Sequence, residues 1–337
     1  MNVVHSGRLS GVVPALDWLP NYNRSWLKPD VIAALTIWAL IVPQSIAYAQ
    51  IAGLPPQAGL YATFAGLLGY GLLGTSRQLI VSPTSSTAAI SAALVAPLAA
   101  GDSSDYAALV ASVAILVGAT FIVMAALRLG FVSRFIAASV STGFLFGLGL
   151  TIIAGQLPKV LGIQGADSDN FIPEVRNILQ HLGDVSGWTL VLGAGAIAFL
   201  FAVARWRPGA PGALIVVAAG IALVALFGLE EHGVAVIGSV DAAFPTPAIP
   251  AISSDDLATL IPGALIIAVI GFSEGVTVAE SMADEHDYEV KVNQELIGMG
   301  GANVLAGLFQ GLIVGGGASQ SAANDRAGAM SQLVSIL

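Results

Sequence analysis

Long apolar runs follow one another from Val31 to the last residue, separated by short polar joints. The runs are continuous rather than alternating, the pattern of membrane-crossing helices and not of a barrel. Ten spans are predicted, at roughly 29–51, 57–74, 83–100, 106–127, 134–155, 186–204, 211–228, 259–281, 294–313 and 318–337. Most have the ~20 residues that cross a bilayer. The third and tenth are effectively shorter, because each opens on a polar break. Ser82-Pro83-Thr84-Ser85-Ser86-Thr87 follows Leu79-Ile80-Val81, and Gly315-Gly316-Gly317-Ala318-Ser319-Gln320-Ser321 follows Leu312-Ile313-Val314. Each break predicts a short extended piece, then small hydroxyl residues, then helix. Such breaks place free backbone N–H groups and a positive helix end inside the membrane. Two of them, far apart in sequence, point to a transporter's binding site, and their polarity suits an anion.

Composition supports the membrane reading. The chain is 56% hydrophobic and 10% charged, with mean hydropathy +0.84. A soluble chain of 337 residues could not hide that much apolar surface. With the N-terminus in the cytoplasm, inner segments hold Arg8, Arg24, Lys28, Arg77, Arg128, Arg134, Arg205, Arg207 and Lys291, and outer segments hold only Lys159 and Arg176. That is the positive-inside bias, and a bacterial inner membrane is the expected location. The net charge of −9 comes mostly from loop acids such as Asp167, Asp169, Glu230, Glu231, Asp255 and Asp256. No basic patch argues for nucleic acid. There are no cysteines, hence no disulfide or thiolate chemistry. No signal-peptide core precedes the first span.

Residues 156–185 form an outer connection containing Phe171–Leu179, which reads as a short amphipathic helix on the membrane surface. Residues 229–257 form a second, rich in proline and acid. Each polar break follows two long spans that begin near clustered charge. Spans 1–3 and 8–10 therefore read as equivalent parts of two halves entering from opposite sides, an inverted repeat.

Three motifs, in order, resemble the SulP (sulfate permease) family of anion transporters, whose animal branch includes the solute-carrier 26 proteins. The first is Gly53-Leu54-Pro55-Pro56-Gln57-Ala58-Gly59-Leu60-Tyr61 with Leu73-Gly74-Thr75-Ser76-Arg77. The second is Tyr288-Glu289-Val290 with Asn293-Gln294-Glu295-Leu296-Ile297-Gly298, and the third Ser319-Gln320-Ser321-Ala322-Ala323-Asn324 with Ala327-Gly328. The resemblance implies an all-α, polytopic, seven-plus-seven inverted repeat with a core domain and a gate domain. The anion would sit between the N-termini of two half-helices and move by an elevator-like shift, usually in a homodimer. On this basis residues 1–28 are a cytoplasmic N-terminal segment and 29–337 the transporter domain, with spans 1–4 and 8–10 in the core and 5–7 in the gate. The chain stops at Leu337, in or just after span 10. The family's four remaining spans and cytoplasmic STAS domain would lie outside it, leaving the second repeat incomplete.

The candidate site is read residue by residue. Gln44 and Tyr48, four apart in span 1, share a helix face. Polar groups in mid-membrane need partners; helix–helix hydrogen bonding would supply them, and the resemblance implies instead that both line the anion pocket. Ser82, Pro83 and Thr84 open span 3. Proline suits the first helical turn, and the hydroxyls could either cap the helix or donate to an anion. Ser85 and Ser86 suit helix packing. Gly317, Ala318, Ser319 and Gln320 open span 10, where glycines permit tight packing or a ligand's close approach. Many members of the family carry arginine at the place of Gln320, so here a full positive charge beside the anion is replaced by an amide.

Glu274 lies deep within span 8. An unpaired carboxylate there costs at least ~2.5 kcal/mol, so it must pair with a cation, bind a metal ion such as Na⁺, or take up a proton. A static pair is the competing reading. Asp325 and Arg326 are candidate static partners for each other. Asp284, Glu285, His286, Asp287 and Glu289 read as a solvated turn, and Glu295 as a brace for span 9. His5, His181, His232 and His286 are scattered and make no metal set. No catalytic constellation or phosphate loop stands out, so neither an enzyme nor a cofactor is expected. The favoured reading is a secondary active transporter of small anions, in the sulfate, bicarbonate or dicarboxylate class, coupled to H⁺ or Na⁺. An uncoupled exchanger or channel of the same fold is the alternative, told apart by indifference to cation gradients; a nucleobase–cation symporter would take up uracil.

Overall fold

The computed structural model describes residues 13–99, 103–131, 138–165, 171–207, 212–236 and 246–337. His5, Arg8, Arg134, Asp167 and Asp169 lie outside them. The helices are α1 (Ala15–Trp18), α2 (Leu27–Ile51), α3 (Pro56–Leu73), α4 (Ser85–Val95), α5 (Ser103–Ala126), α6 (Ala138–Leu161), α7 (Phe171–Gln180), α8 (Gly187–Trp206), α9 (Gly212–Phe227), α10 (Ser254–Glu285), α11 (Val292–Leu308), α12 (Ala318–Arg326) and α13 (Leu333–Ile336). Among the described residues, four helical segments are long and apolar enough to cross a membrane: Arg24–Ile51, Tyr106–Ala126, Gly187–Trp206 and Ser254–Glu285. The ten predicted spans correspond to α2–α6 and α8–α12, with α7 the amphipathic surface helix. The described chain divides into two compact units, one holding α1–α5 and α10–α13, the other α6–α9.

In the first unit α11 packs between α3 and α5. Small residues set the spacing: Gly69 faces Ala302, Gly118 faces Gly300 and Gly307 faces Ala111, each leaving no room for a side chain. In a membrane, where apolar burial drives little association, such close backbone approach supplies the packing energy. Leu296 and Met299 of α11 pack with Tyr70, Phe121, Phe272 and Leu312 in one core, all essentially inaccessible.

Both polar breaks are extended where the pattern predicts it. Val81–Ser82 (β1) pairs antiparallel with Gly315–Gly316 (β2), Val81 opposite Gly316 and Ser82 opposite Gly315. This two-residue ladder is the exception in an otherwise helical fold. α10 crosses β2 where Gly275 meets Gly316, an approach that a Cβ on Gly316 would block. Neighbouring backbone groups are met by side chains and by one further backbone bond. Asn303 donates to the Val314 carbonyl at 2.9 Å and accepts from Val314 N at 3.0 Å. Ile80 N donates to Ser321 Oγ at 3.0 Å, and Gly317 N to the Ile80 carbonyl at 3.1 Å.

Two boundaries differ from expectation. The third span is only α4, and Pro83 stands before the helix rather than in its first turn. The tenth is α12 alone, ending at Arg326; Gly328 then adopts φ +90°, and the chain turns back. Asp30, fully buried at the start of α2, holds that turn by accepting from Met330 N at 2.7 Å, Ser331 N at 3.3 Å and Ser331 Oγ at 2.7 Å. Gln332 Nε2 donates to the Ser76 and Leu79 carbonyls. These long-range bonds outweigh the apolar character that suggests a continuing helix.

The first two family-like motifs meet at one end of the unit. Glu295 accepts from Tyr70 Oη at 2.5 Å, Thr75 N at 2.7 Å and Thr75 Oγ1 at 2.6 Å, so it braces α11 against the end of α3, as expected. Tyr288 Oη donates to Gln78 Oε1 at 2.8 Å, and Arg77 stacks over its ring. Burial pushes the Tyr288 phenol above its ordinary pKa. Asp325 pairs with His286 at 2.5 Å, while Arg326 bonds its own helix through the Ala322 carbonyl. The candidate Asp325–Arg326 pair is thus replaced: the end of α10 brings the imidazole to Asp325, whereas an adjacent residue on one helix points elsewhere.

Asn303→Leu would orphan both polar groups of Val314 in an apolar interior. It should cost about 3 kcal/mol and lower the unfolding midpoint in detergent; an unchanged midpoint would show the clamp to be dispensable.

Candidate functional site

The ladder sets the starts of α4 and α12 beside each other, although they are far apart in sequence. Thr84 is the N-cap of α4: its Oγ1 accepts from Thr87 N at 3.2 Å, and Thr87 Oγ1 accepts from Thr84 N at 3.0 Å. This reciprocal capping box satisfies two donors and fixes where the helix begins. Ser85 and Ser86, next in line, keep backbone N–H groups without an intrahelical acceptor, as do Ala318, Ser319 and Gln320 of α12. Both ends carry the positive pole of a helix dipole.

Gln320 fastens the arrangement. Its side chain is 2% exposed. Oε1 accepts from Ser82 Oγ at 3.0 Å, and Nε2 donates to Gln44 Oε1 at 3.0 Å and to the Pro83 carbonyl at 3.4 Å. One carboxamide thus ties α2, the first break and the second. It folds back over Gly317, where a Cβ would collide with it and displace it. Five of the predicted residues, Gln44, Ser82, Pro83, Gly317 and Gln320, therefore make one cluster. The Ser82 hydroxyl is committed to Gln320 rather than free for a ligand, and Thr84 serves as a cap. Ala318 and Ser319 are exposed at the mouth of α12. Tyr48 lies one turn along α2 from Gln44, half-buried, its ring against the core.

Glu274 reaches the same region from α10. Its Oε2 accepts from Ser86 Oγ at 3.4 Å, and its Oε1 is buried without a hydrogen-bond partner among the described residues. The carboxyl borders a recess of about 10 Å³, room for roughly one water molecule. Apart from Glu274, Ser86 and Thr87 its walls are apolar, with Ile90, Phe121, Ile270 and Val314 among them. Among the described residues, none of the hydrogen-bond partners of Ser82, Thr84, Gln320 or Glu274 is a lysine or arginine. Among the described residues, no group of three or more acidic or imidazole side chains could hold a metal ion.

Sequence reasoning missed Asn303 and Asp30 and gave Ser86 a packing role. An amide in mid-span and an acid at the first residues of a span were the available signals. Ser86 was legible only once α10 was known to pass it.

The pattern of the Sulfate permease family matches residues 27–337. A probable sulfate transporter of Mycobacterium tuberculosis is 39% identical over 328 residues, covering 97% of this chain and 58% of the relative. A probable sulfate transporter of Arabidopsis thaliana is 31% identical over 343 residues, covering 97% and 54%. The chain thus spans little more than half the length of these relatives. Among solved structures, the murine Solute Carrier 26 family member A9 anion transporter in its inward-facing state superposes with TM-score 0.89 at 23% identity, covering 100% of this chain and 59% of that one. The transmembrane domain of a cyanobacterium bicarbonate transporter gives TM-score 0.83 at 22% identity, covering 94% and 81%. These two likenesses show the fold.

Gly317→Ala should destabilise the protein by about 2 kcal/mol, because it displaces the Gln320 carboxamide. Gly315→Ala, whose Cβ would meet only the Thr87 methyl at 3.4 Å, serves as the matched control and should be near neutral. Equal unfolding midpoints for the two variants would remove the carboxamide from its bracing role.

Proposed function

The chain belongs to the sulfate permease family, and from that premise we propose that it forms most of the anion path of a secondary active transporter. The cargo class is a small anion such as sulfate, bicarbonate or a dicarboxylate. The observation that carries the reading is the pair of half-helix mouths: two positive helix ends, with unshared N–H groups at Ser85, Ser86, Ala318 and Ser319, cross-braced by Gln320. An anion bound there replaces its hydration shell with fixed donors. Gln44, Tyr48, Ser82, Pro83, Thr84, Gly317, Ala318, Ser319 and Gln320 form or frame that site. In this reading the N-terminus faces the cytoplasm of a cell with an inner membrane, and the assembly is a homodimer. The unit of α6–α9 serves as part of the gate against which the rest moves by an elevator shift; the division of the chain into two compact units supports that partition.

Glu274 is the coupling residue of this proposal. Its carboxylate stands at the first turn of α4, through Ser86, where it competes with the anion for the same positive end. At ~6 Å and an effective dielectric of ~20, two unit charges repel by on the order of 3 kcal/mol. That weakens anion binding roughly a hundredfold. A proton or Na⁺ on Glu274 removes the repulsion, so cation and anion bind cooperatively.

Glu274→Gln imitates the neutral carboxyl. In vesicles containing the full-length transporter, this variant should bind anion as well as the parent yet lose stimulation by an imposed H⁺ or Na⁺ gradient. Uptake that still concentrates anion in response to the gradient would return Glu274 to a static role. Indifference of the parent itself would favour the exchanger or channel.

Ser319→Phe should fill the mouth of α12 and reduce anion affinity at least about tenfold, a loss of ~1.4 kcal/mol. Ser319→Ala, which keeps the backbone donor, should lose much less. Unchanged affinity in Ser319→Phe would take Ser319 out of the site.

A further inference from the structure

α7 has an apolar face that the rest of its unit covers only along one edge. At 100° per residue, Phe171, Ile172, Val175, Ile178 and Leu179 fall on one arc about 120° wide, and Leu182 continues it. Pro173, Glu174, Arg176, Asn177 and Gln180 occupy the opposite side. Ile178 and Glu174 are buried, so the helix sits on the protein by the edge they share. The other edge is open: Ile172 is 77% exposed, Leu179 65% and Phe171 42%.

The position of the helix says what covers that edge. Asn177 Nδ2 donates to the Gln164 carbonyl at 2.9 Å, just beyond the end of α6. Ser186, the N-cap of α8, donates its N–H to the Leu161 carbonyl at 3.0 Å. α7 is therefore pinned at the level where α6 ends and α8 begins. Among the described residues none of the apolar window of α8 is buried, as a span facing lipid requires. Trp188, at its start, is 51% exposed and packs edge-on against His232 at 5.9 Å, the place of an interfacial aromatic. The open edge of α7 continues this lipid-facing surface at the water boundary. Arg176 lies one turn from both Ile172 and Leu179, with its guanidinium free to reach a phosphate while its stem covers apolar surface.

We infer that α7 lies in the bilayer interface, with Phe171, Ile172 and Leu179 inserted among the upper acyl carbons of phospholipids and Arg176 at their phosphates. The helix anchors the α6–α9 unit to one leaflet, independently of the anion site. Its buried face resists lifting, and each inserted side chain adds to membrane attachment in proportion to its apolar area.

These 337 residues contain no cysteine, so a single introduced thiol is the only one within them. Ile172→Cys, Leu179→Cys and Gln180→Cys are each labelled with an environment-sensitive fluorophore in the full-length protein and placed in vesicles of phosphatidylethanolamine and phosphatidylglycerol. Labels at 172 and 179 should be quenched by nitroxides on shallow acyl carbons at least about threefold more than the label at 180, since interfacial helices sit at that depth. Iodide in the water should give the reverse order. Iodide quenching at 172 equal to that at 180 would place the face in water. Protection of 172 from both quenchers would mean that protein covers it, a second copy included. Either result overturns the proposal.

Discussion

The fold depends on one constraint: a backbone that leaves the helix inside a membrane must still satisfy every N–H and C=O. Two segments do so, and each is the other's main partner. Val81 and Ser82 pair with Gly316 and Gly315, Ser321 takes the Ile80 N–H, and Asn303 takes both polar groups of Val314. Neither break could exist without the other. Small residues follow from the same requirement, because α10 and α11 must approach closely enough to enclose the ladder, as at Gly275 and Gly316.

The electrostatics of the site follow from its backbone. With no lysine or arginine among the hydrogen-bond partners of the two mouths in the described residues, the positive potential they supply comes from helix ends and amide dipoles, fixed in direction by the capping box at Thr84 and by Gln320. Such dipoles need little reorganisation when an ion arrives. Their combined charge is also modest, near half an elementary charge for each helix. A neighbouring carboxylate therefore weighs heavily in the local potential, and Glu274 stands at the first turn of α4 through Ser86.

Much of this was legible in the sequence because it is local. Continuous apolar runs marked the spans, and hydroxyl and glycine residues marked both breaks. The spacing of Gln44 from Tyr48 put them on one face. The residues that escaped notice act across distance. Asn303 looks like any tolerated amide until Val314 is placed beside it. Asp30 looks like an acid at the start of a helix until the chain returns at Met330 and Ser331. His286 caps the end of α10 and Asp325 lies in the last turn of α12, and only the arrangement of the two helices brings them together. The end of α12 was misplaced for the same reason: hydropathy continues past Arg326, and tertiary bonds to Asp30, Ser76 and Leu79 turn the backbone.

The ladder also constrains how the protein is made. Ser82 and Gln320 are 238 positions apart, so the first break leaves the ribosome long before its partner exists. At synthesis rates of about 5–20 residues per second, β1 waits on the order of ten seconds or more with its strand edge unpaired. During that interval lipid offers it no hydrogen bonds, so the nascent segment must be sheltered by water or by the insertion machinery. The paired helix mouths are thus a late product of biogenesis, completed when β2 arrives and closes the ladder.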